Sequence, residues 1–170
     1  MLQTSDNLYA DSLFKQLAYS VTGEGIYKQG IFAIKQILAQ HTHIDPDQVE
    51  LADGAGTRYN LATPEQMVVL LSDLYNDTAM RSIFLDTLPQ AGVSGWLKKR
   101  LKNTDLEKKV FAKTETMHDI SSLSGFIINS NARTFIFSII INSVNKPISE
   151  AKSLEDQILL IIADKNNDMN

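Results

Sequence analysis

The sequence predicts an α+β fold in which helices come first, a three-stranded antiparallel sheet follows, and a C-terminal helix closes the chain. Three observations carry that prediction. Apolar residues recur at helical spacing from the start to about residue 102, β-branched and aromatic runs take over after Asn103, and helical spacing returns near the C-terminus. The expected division is 1–106 for the helical lobe and 107–170 for the sheet with its closing helix, both parts of one domain.

The first helix is expected over 6–19, where Leu8, Ala10, Leu13, Phe14, Leu17 and Ala18 form a stripe entered through Ser5 or Asp6 as N-cap. A second follows over 27–40 through Ile31, Ile34, Ile37 and Leu38, after a connection loosened by Gly23, Gly25 and Gly30. The third has the clearest start: Thr63 is the N-cap, Pro64 the first helical residue and Gln66 the reciprocal capping partner, ahead of Met67, Leu70, Leu71 and Leu74. Shorter helical pieces are expected over 79–86 and 95–102, separated by the turn-rich "LPQAGVSG".

"KKVFAKTETM", "SSLSGFIINS" and "RTFIFSIIIN" read as strands, the last two forming a hairpin through Asn129 to Ala132. Phe135, Ile136, Phe137, Ile139, Ile140 and Ile141 make the third strand apolar on both faces, so it is expected to be covered on both. The closing helix is expected to start at Ser149 or Ser153. It bears a stripe of Leu154, Ile158, Ile161 and Ile162 and frays in "DKNNDMN".

Composition narrows the chemistry. At 170 residues the chain is long enough to bury roughly 70% of its unfolded surface as one domain. A net charge of -4 gives no reason to expect nucleic acid as a partner, and the absence of cysteine excludes thiolate catalysis and Cys-based metal sites. Met1 leads straight into polar residues, so no signal peptide is read in this chain. The most apolar stretch, "TFIFSIIINSV", is about half the length a spanning helix needs, so no transmembrane segment is expected.

Two segments carry candidate chemistry. "SDN" opens the first helix, and "AKTETM" places Lys113 and Thr114 on a strand that a second strand follows. Their order resembles that of serine enzymes that bind penicillin, which carry Ser-x-x-Lys, then Ser-x-Asn, then Lys-Thr-Gly on a strand. With "DGAGTRYN", "TPEQMVVLL" and "LPQAGVSGWLKKRLKN" between them, nearly the whole chain is similar to the D-alanyl-D-alanine carboxypeptidases of the class C, low-molecular-mass penicillin-binding type.

The resemblance implies roles. Ser5 would relay a proton and Asn7 would bind the substrate's peptide carbonyl. Lys113 and Thr114 would help bind the terminal carboxylate of D-Ala-D-Ala, and the backbone N–H at Thr116 would complete an oxyanion hole. It also implies peptidoglycan stem peptides or β-lactams as ligands, a periplasmic or cell-envelope setting, and no cofactor.

Two departures stand against full activity. The Ser-x-x-Lys motif should precede Ser5 by a long stretch, so these residues read as the C-terminal portion of an incomplete domain that is inactive alone. Glu115 stands where the family has Gly, putting a side chain and a negative charge where a ligand must approach. A catalytically dead module that binds cell-wall peptide is therefore the alternative. In the family's fold an N-terminal strand pairs with the third strand. The edge at 133–142, from Arg133 to Asn142, is thus expected to bind that missing half or a second copy.

Other groupings have plainer explanations. "SEAK" matches Ser-x-x-Lys at Ser149 and Lys152 but follows the strands and reads as a cap with a solvated lysine. His41, His43, Asp45 and Asp47 match no standard zinc spacing, and no metal is expected there. Seven basic against two acidic residues over 94–113 read as a solvated face, and Gly54 with Gly56 as a turn.

Overall fold

Asp6, not Ser5, starts the first helix of the computed structural model, which describes residues 1–129 and 133–167, the last three in backbone only. Helix α1 spans Asn7–Thr22. The Asp6 carboxylate accepts from the Tyr9 N–H at 2.9 Å, and Gly23 ends the helix in the left-handed region at φ 81°, its N–H on the Tyr19 carbonyl. Helix α2 spans Tyr27–His41, and α3 spans Pro64–Asn76. At the start of α3, the Thr63 hydroxyl accepts from the Gln66 N–H at 3.1 Å. Gln66 Oε1 accepts from the Thr63 N–H at 2.8 Å, so the reciprocal cap predicted from sequence is present.

The chain divides into two compact units, the first formed by Met1 and residues 5–81, the second by residues 2–4 and those from 82 onward. In the first unit Phe14 is the centre of packing. Its ring lies against Gly30 of α2, where an added Cβ would sit 2.1 Å away, and its Cβ lies against Gly54, where an added Cβ would sit 2.4 Å away. The buried face of α1 is narrower than predicted: Phe14 and Ala18 are inside, whereas Leu8 and Leu13 are exposed.

In the second unit, strands β1 (Val110–Met117), β2 (Ile120–Ile128) and β3 (Thr134–Asn142) form one antiparallel sheet in the order β1-β2-β3. The predicted helix-then-sheet order holds. The turn predicted between β2 and β3 falls largely on residues 130–132, which lie outside the described residues. Beside it, the Asn129 N–H donates to the Arg133 carbonyl at 3.0 Å.

Helix α4 covers Arg81–Thr87 instead of 79–86, and α5 covers Ile148–Asn167. The latter continues through 164–167, where fraying was predicted; residues 168–170 lie outside the described residues. The predicted helix over 95–102 is only a 3-10 turn, Gly95–Leu97. Leu101 and Asn103 adopt positive φ of 54° and 60°, which no right-handed helix accommodates.

Ala91, Leu97, Leu101, Leu106, Val110, Ala112, Leu123, Ile127, Phe137, Leu159 and Ala163 form the core of this unit, so one face of the sheet is closed by α5. The face of α5 that turns inward keeps only part of the predicted stripe, with Ile162 packed on the core. Ala151, Glu155, Leu159 and Ala163 are buried, while Leu154 and Ile161 are exposed. Strand β3 also departs from expectation: Phe137 is its only buried residue, and Ile136 and Ile140, on the face away from α5, are half-buried. The cover expected on both faces of its apolar run is thus only partial, and among the described residues β3 is an edge strand of the sheet.

Candidate functional site

Period-two alternation sorts the strand residues of the site. On β1, Val110, Ala112 and Thr114 face α5 and are buried, whereas Lys113 and Glu115 lie together on the opposite face, half-buried. They stand across from Ser124 and Ser122 of β2 in the antiparallel register. Thr114, expected to help bind a ligand carboxylate beside Lys113, is instead 9% exposed on the other face.

Strand β1 is an edge strand among the described residues, and its outward backbone groups belong to alternate residues. The Ala112 N–H donates to the Pro89 carbonyl at 3.0 Å, and the Ala91 N–H donates to the Val110 carbonyl at 2.9 Å. Residues 89–91 therefore cover the edge at 110–112, and the next outward groups, at Thr114 and Thr116, lie beyond that cover.

There β1 folds its own side chains over the edge. The Lys113 ammonium donates to the Thr114 carbonyl. Glu115 Oε1 accepts from the Thr116 N–H at 3.0 Å, while Glu115 Oε2 lies 3.7 Å from Lys113 Nζ. Burial lowers the Lys113 ammonium below its usual pKa, and the Glu115 carboxylate opposes that by charge and hydrogen bond. One carboxylate thus meets a cation and a backbone N–H on an open strand edge, an arrangement that recognises a carboxylate or a polarised carbonyl oxygen. Of the sequence-predicted residues, the structure brings Lys113, Glu115 and Thr116 together.

Ser5 and Asn7 belong to the first unit. Ser5 immediately precedes the N-cap of α1 with φ 53°, a left-handed conformation uncommon for serine, and Asn7 is the exposed first residue of the helix. The capping role considered for Ser5 is filled by Asp6. Behind α1 lies the loop read from sequence as a simple turn. Asp53 Oδ1 accepts from the N–H groups of Ala55 and Gly56 at 2.9 Å and of Thr57 at 3.3 Å, and from Asn60 Nδ2 at 3.1 Å. Its Oδ2 accepts from the Thr57 hydroxyl. Asn60 Oδ1 in turn accepts from the Ala52 N–H at 2.8 Å, so the Asp and Asn of "DGAGTRYN" lock the loop. Burial alone would raise the Asp53 carboxyl, but these donors hold it below its usual value.

The remaining groupings have local partners. In "SEAK", Ser149 lies in the first turn of α5, and the Lys152 carbonyl accepts from Arg100 Nη2 at 3.0 Å. Two further Ser-x-x-Lys spacings escaped the sequence reading. At one, Ser12 donates to the Leu8 carbonyl at 2.7 Å and Lys15 pairs with Asp11 at 2.9 Å; at the other, Lys146 pairs with Glu150 at 3.2 Å. His43 Nδ1 lies 2.6 Å from Asp73 Oδ1, and Asp45 caps the 3-10 turn at Pro46–Gln48. Among the described residues no helix is long and apolar enough to cross a membrane.

The sequence pattern of the family described as D-Ala-D-Ala carboxypeptidase 3 (S13) matches residues 1–165. The chain is 30% identical to penicillin-sensitive carboxypeptidase A of Dictyostelium discoideum, over 95% of this chain and 32% of that protein. It is 32% identical to D-alanyl-D-alanine carboxypeptidase DacB of Haemophilus influenzae, over 90% of this chain and 32% of that protein. The crystal structure of penicillin binding protein 4 (dacB) from Haemophilus influenzae, complexed with a β-lactam, matches with a TM-score of 0.78 at 31% identity. That match covers 86% of this chain and 34% of that one. The chain therefore spans about a third of the length of the curated relatives it matches.

Proposed function

Because the chain belongs to the D-Ala-D-Ala carboxypeptidase 3 (S13) family, we propose that it is the C-terminal, substrate-holding portion of a serine-type D-alanyl-D-alanine carboxypeptidase or endopeptidase. Its ligands on this reading are peptidoglycan stem peptides and penicillins, met in the periplasm or cell envelope. The observation that carries the proposal is the meeting of the Lys113 ammonium and the Thr116 N–H on one carboxylate at an open strand edge. Lys113 holds the end of the ligand beyond the scissile amide, a role from which the Thr114 hydroxyl is turned away by its burial against α5, and the Thr116 N–H stabilises the oxygen that becomes negative as the scissile carbonyl turns tetrahedral. The Ser5 hydroxyl relays a proton, and the Asn7 amide binds the peptide carbonyl. The left-handed backbone at Ser5 supports this, since strain of that kind persists where a side chain must be held in a particular direction. On the same reading, the outer edge of β3 receives a further strand, from elsewhere in a longer chain or from a second copy.

A second reading, a peptide-binding module without catalysis, is favoured by Glu115, whose carboxylate occupies the donors that the reaction would use. Binding and labelling measurements separate the two. On the first reading the 170-residue chain takes no covalent fluorescent penicillin by itself, yet an acyl-D-Ala-D-Ala peptide perturbs the backbone amides at 113–116 in NMR, and Lys113→Ala removes the perturbation. A covalent adduct that disappears in Ser149→Ala would show a rearranged site and overturn the assignment of roles.

A further inference from the structure

We propose that Glu115 sets the substrate class of this strand edge: the site takes acyl-D-Ala peptides whose residue beyond the scissile amide ends in a carboxamide or other uncharged group, in preference to a free carboxylate. The inference rests on the reading of β1 as a peptide site and adds to it the identity of the group received.

The argument is one of matching donors and acceptors. Lys113 and Glu115 share a face of β1, with Oε2 3.7 Å from Nζ, and Glu115 Oε1 already accepts from the Thr116 N–H at 3.0 Å. A ligand carboxylate arriving here finds the single positive charge paired with a negative one and the N–H donor taken. It adds a second negative charge beside the first, and two carboxylates in one site repel. A carboxamide in the same place answers both partners. Its carbonyl oxygen accepts from Lys113 and its N–H₂ donates to Glu115, so Glu115 keeps the Thr116 N–H and gains a donor while Lys113 gains an acceptor. The half-buried setting of Lys113 sharpens the distinction, because charge contrasts count for more where water is partly excluded.

The test compares two probes, diacetyl-L-lysyl-D-alanyl-D-alanine and its C-terminal carboxamide, titrated into the 170-residue chain and followed at the Thr116 and Lys113 backbone amides. The wild-type chain is expected to bind the carboxamide more tightly. Glu115→Gln keeps the shape and removes the charge, and should move the acid-to-carboxamide affinity ratio toward the acid by about fivefold, the size expected of a partly exposed charge interaction. Glu115→Gly should move it the same way. Preference of the wild type for the acid, or a ratio unchanged in both variants, overturns the assignment while leaving the peptide site standing. Failure of both peptides to perturb any of the three proteins overturns the peptide site itself, and the substrate assignment with it.

Discussion

Arg100 Nη2 lies 2.9 Å from Glu155 Oε2, and Glu155, on the inner face of α5, has no exposed surface. The other Glu155 oxygen accepts from the Ser121 hydroxyl at 2.7 Å, and Arg100 also pairs with Asp156 at 2.8 Å, so the loop after residue 97, the helix and β2 are tied through one carboxylate. Breaking such a pair strands a charge in the interior, which costs about 3–5 kcal/mol, whereas replacing both partners by apolar residues is often close to neutral. Arg100→Met leaves the Glu155 carboxylate in the interior with only the Ser121 hydroxyl, and is therefore expected to lower the unfolding free energy of the second unit by that amount. Arg100→Met with Glu155→Leu should recover most of it. Denaturant unfolding of the single and double variants measures both; equal losses in the two would refute the stranded-charge account.

The same pair shows why the C-terminal helix was only half legible. Helical periodicity announced its existence, but apolar spacing placed Leu154 and Ile161 inside, and a buried glutamate is invisible to a rule that sends charge to water. Where the signal is local, sequence and structure agree. The Thr63, Pro64 and Gln66 start of α3 needs only residues within one turn, and so was read in full. The piece over 95–102 went wrong because Leu101 and Asn103 turn left-handed with no glycine to announce it. At the candidate site, the order of the motifs drew attention to Lys113, Thr114 and Thr116, and strand alternation puts Glu115 beside Lys113 and turns the Thr114 side chain to the other face. The hydrogen bond from Thr116 to Glu115 was out of reach, since side-chain torsions are not written in residue spacing.

Asp53 offers a pH test of the loop behind α1. Burial alone would raise its carboxyl, and the Thr57, Asn60 and Gly56 donors more than offset that, so the folded value lies below the ordinary 3.8. A depressed folded pKa adds stability that is present above the unfolded value and lost as pH falls through the folded one. Asp53→Asn is thus expected to cost about 1–2 kcal/mol at neutral pH, with the gap to wild type narrowing below about pH 4. Thermal unfolding of both proteins across that range checks it, and a gap that stays constant or widens in acid would contradict the sign.

Lys113 gives the most direct reading of the candidate site. Burial lowers its ammonium below the ordinary 10.5, and only Glu115 pulls the other way, through charge and a hydrogen bond. Glu115→Gln removes the charge and leaves the burial, so Lys113 should titrate at still lower pH, observable in the NMR shifts of its ε-methylene. The stability consequence has a definite sign. Between the folded value and 10.5 the unfolded chain holds a proton that the folded chain has released, so stability rises with pH through that window. The rise should be larger in Glu115→Gln than in wild type, because its window is wider. An unchanged or higher Lys113 titration in that variant would mean that the two groups do not interact, and that Glu115 reaches the strand edge through the Thr116 N–H alone.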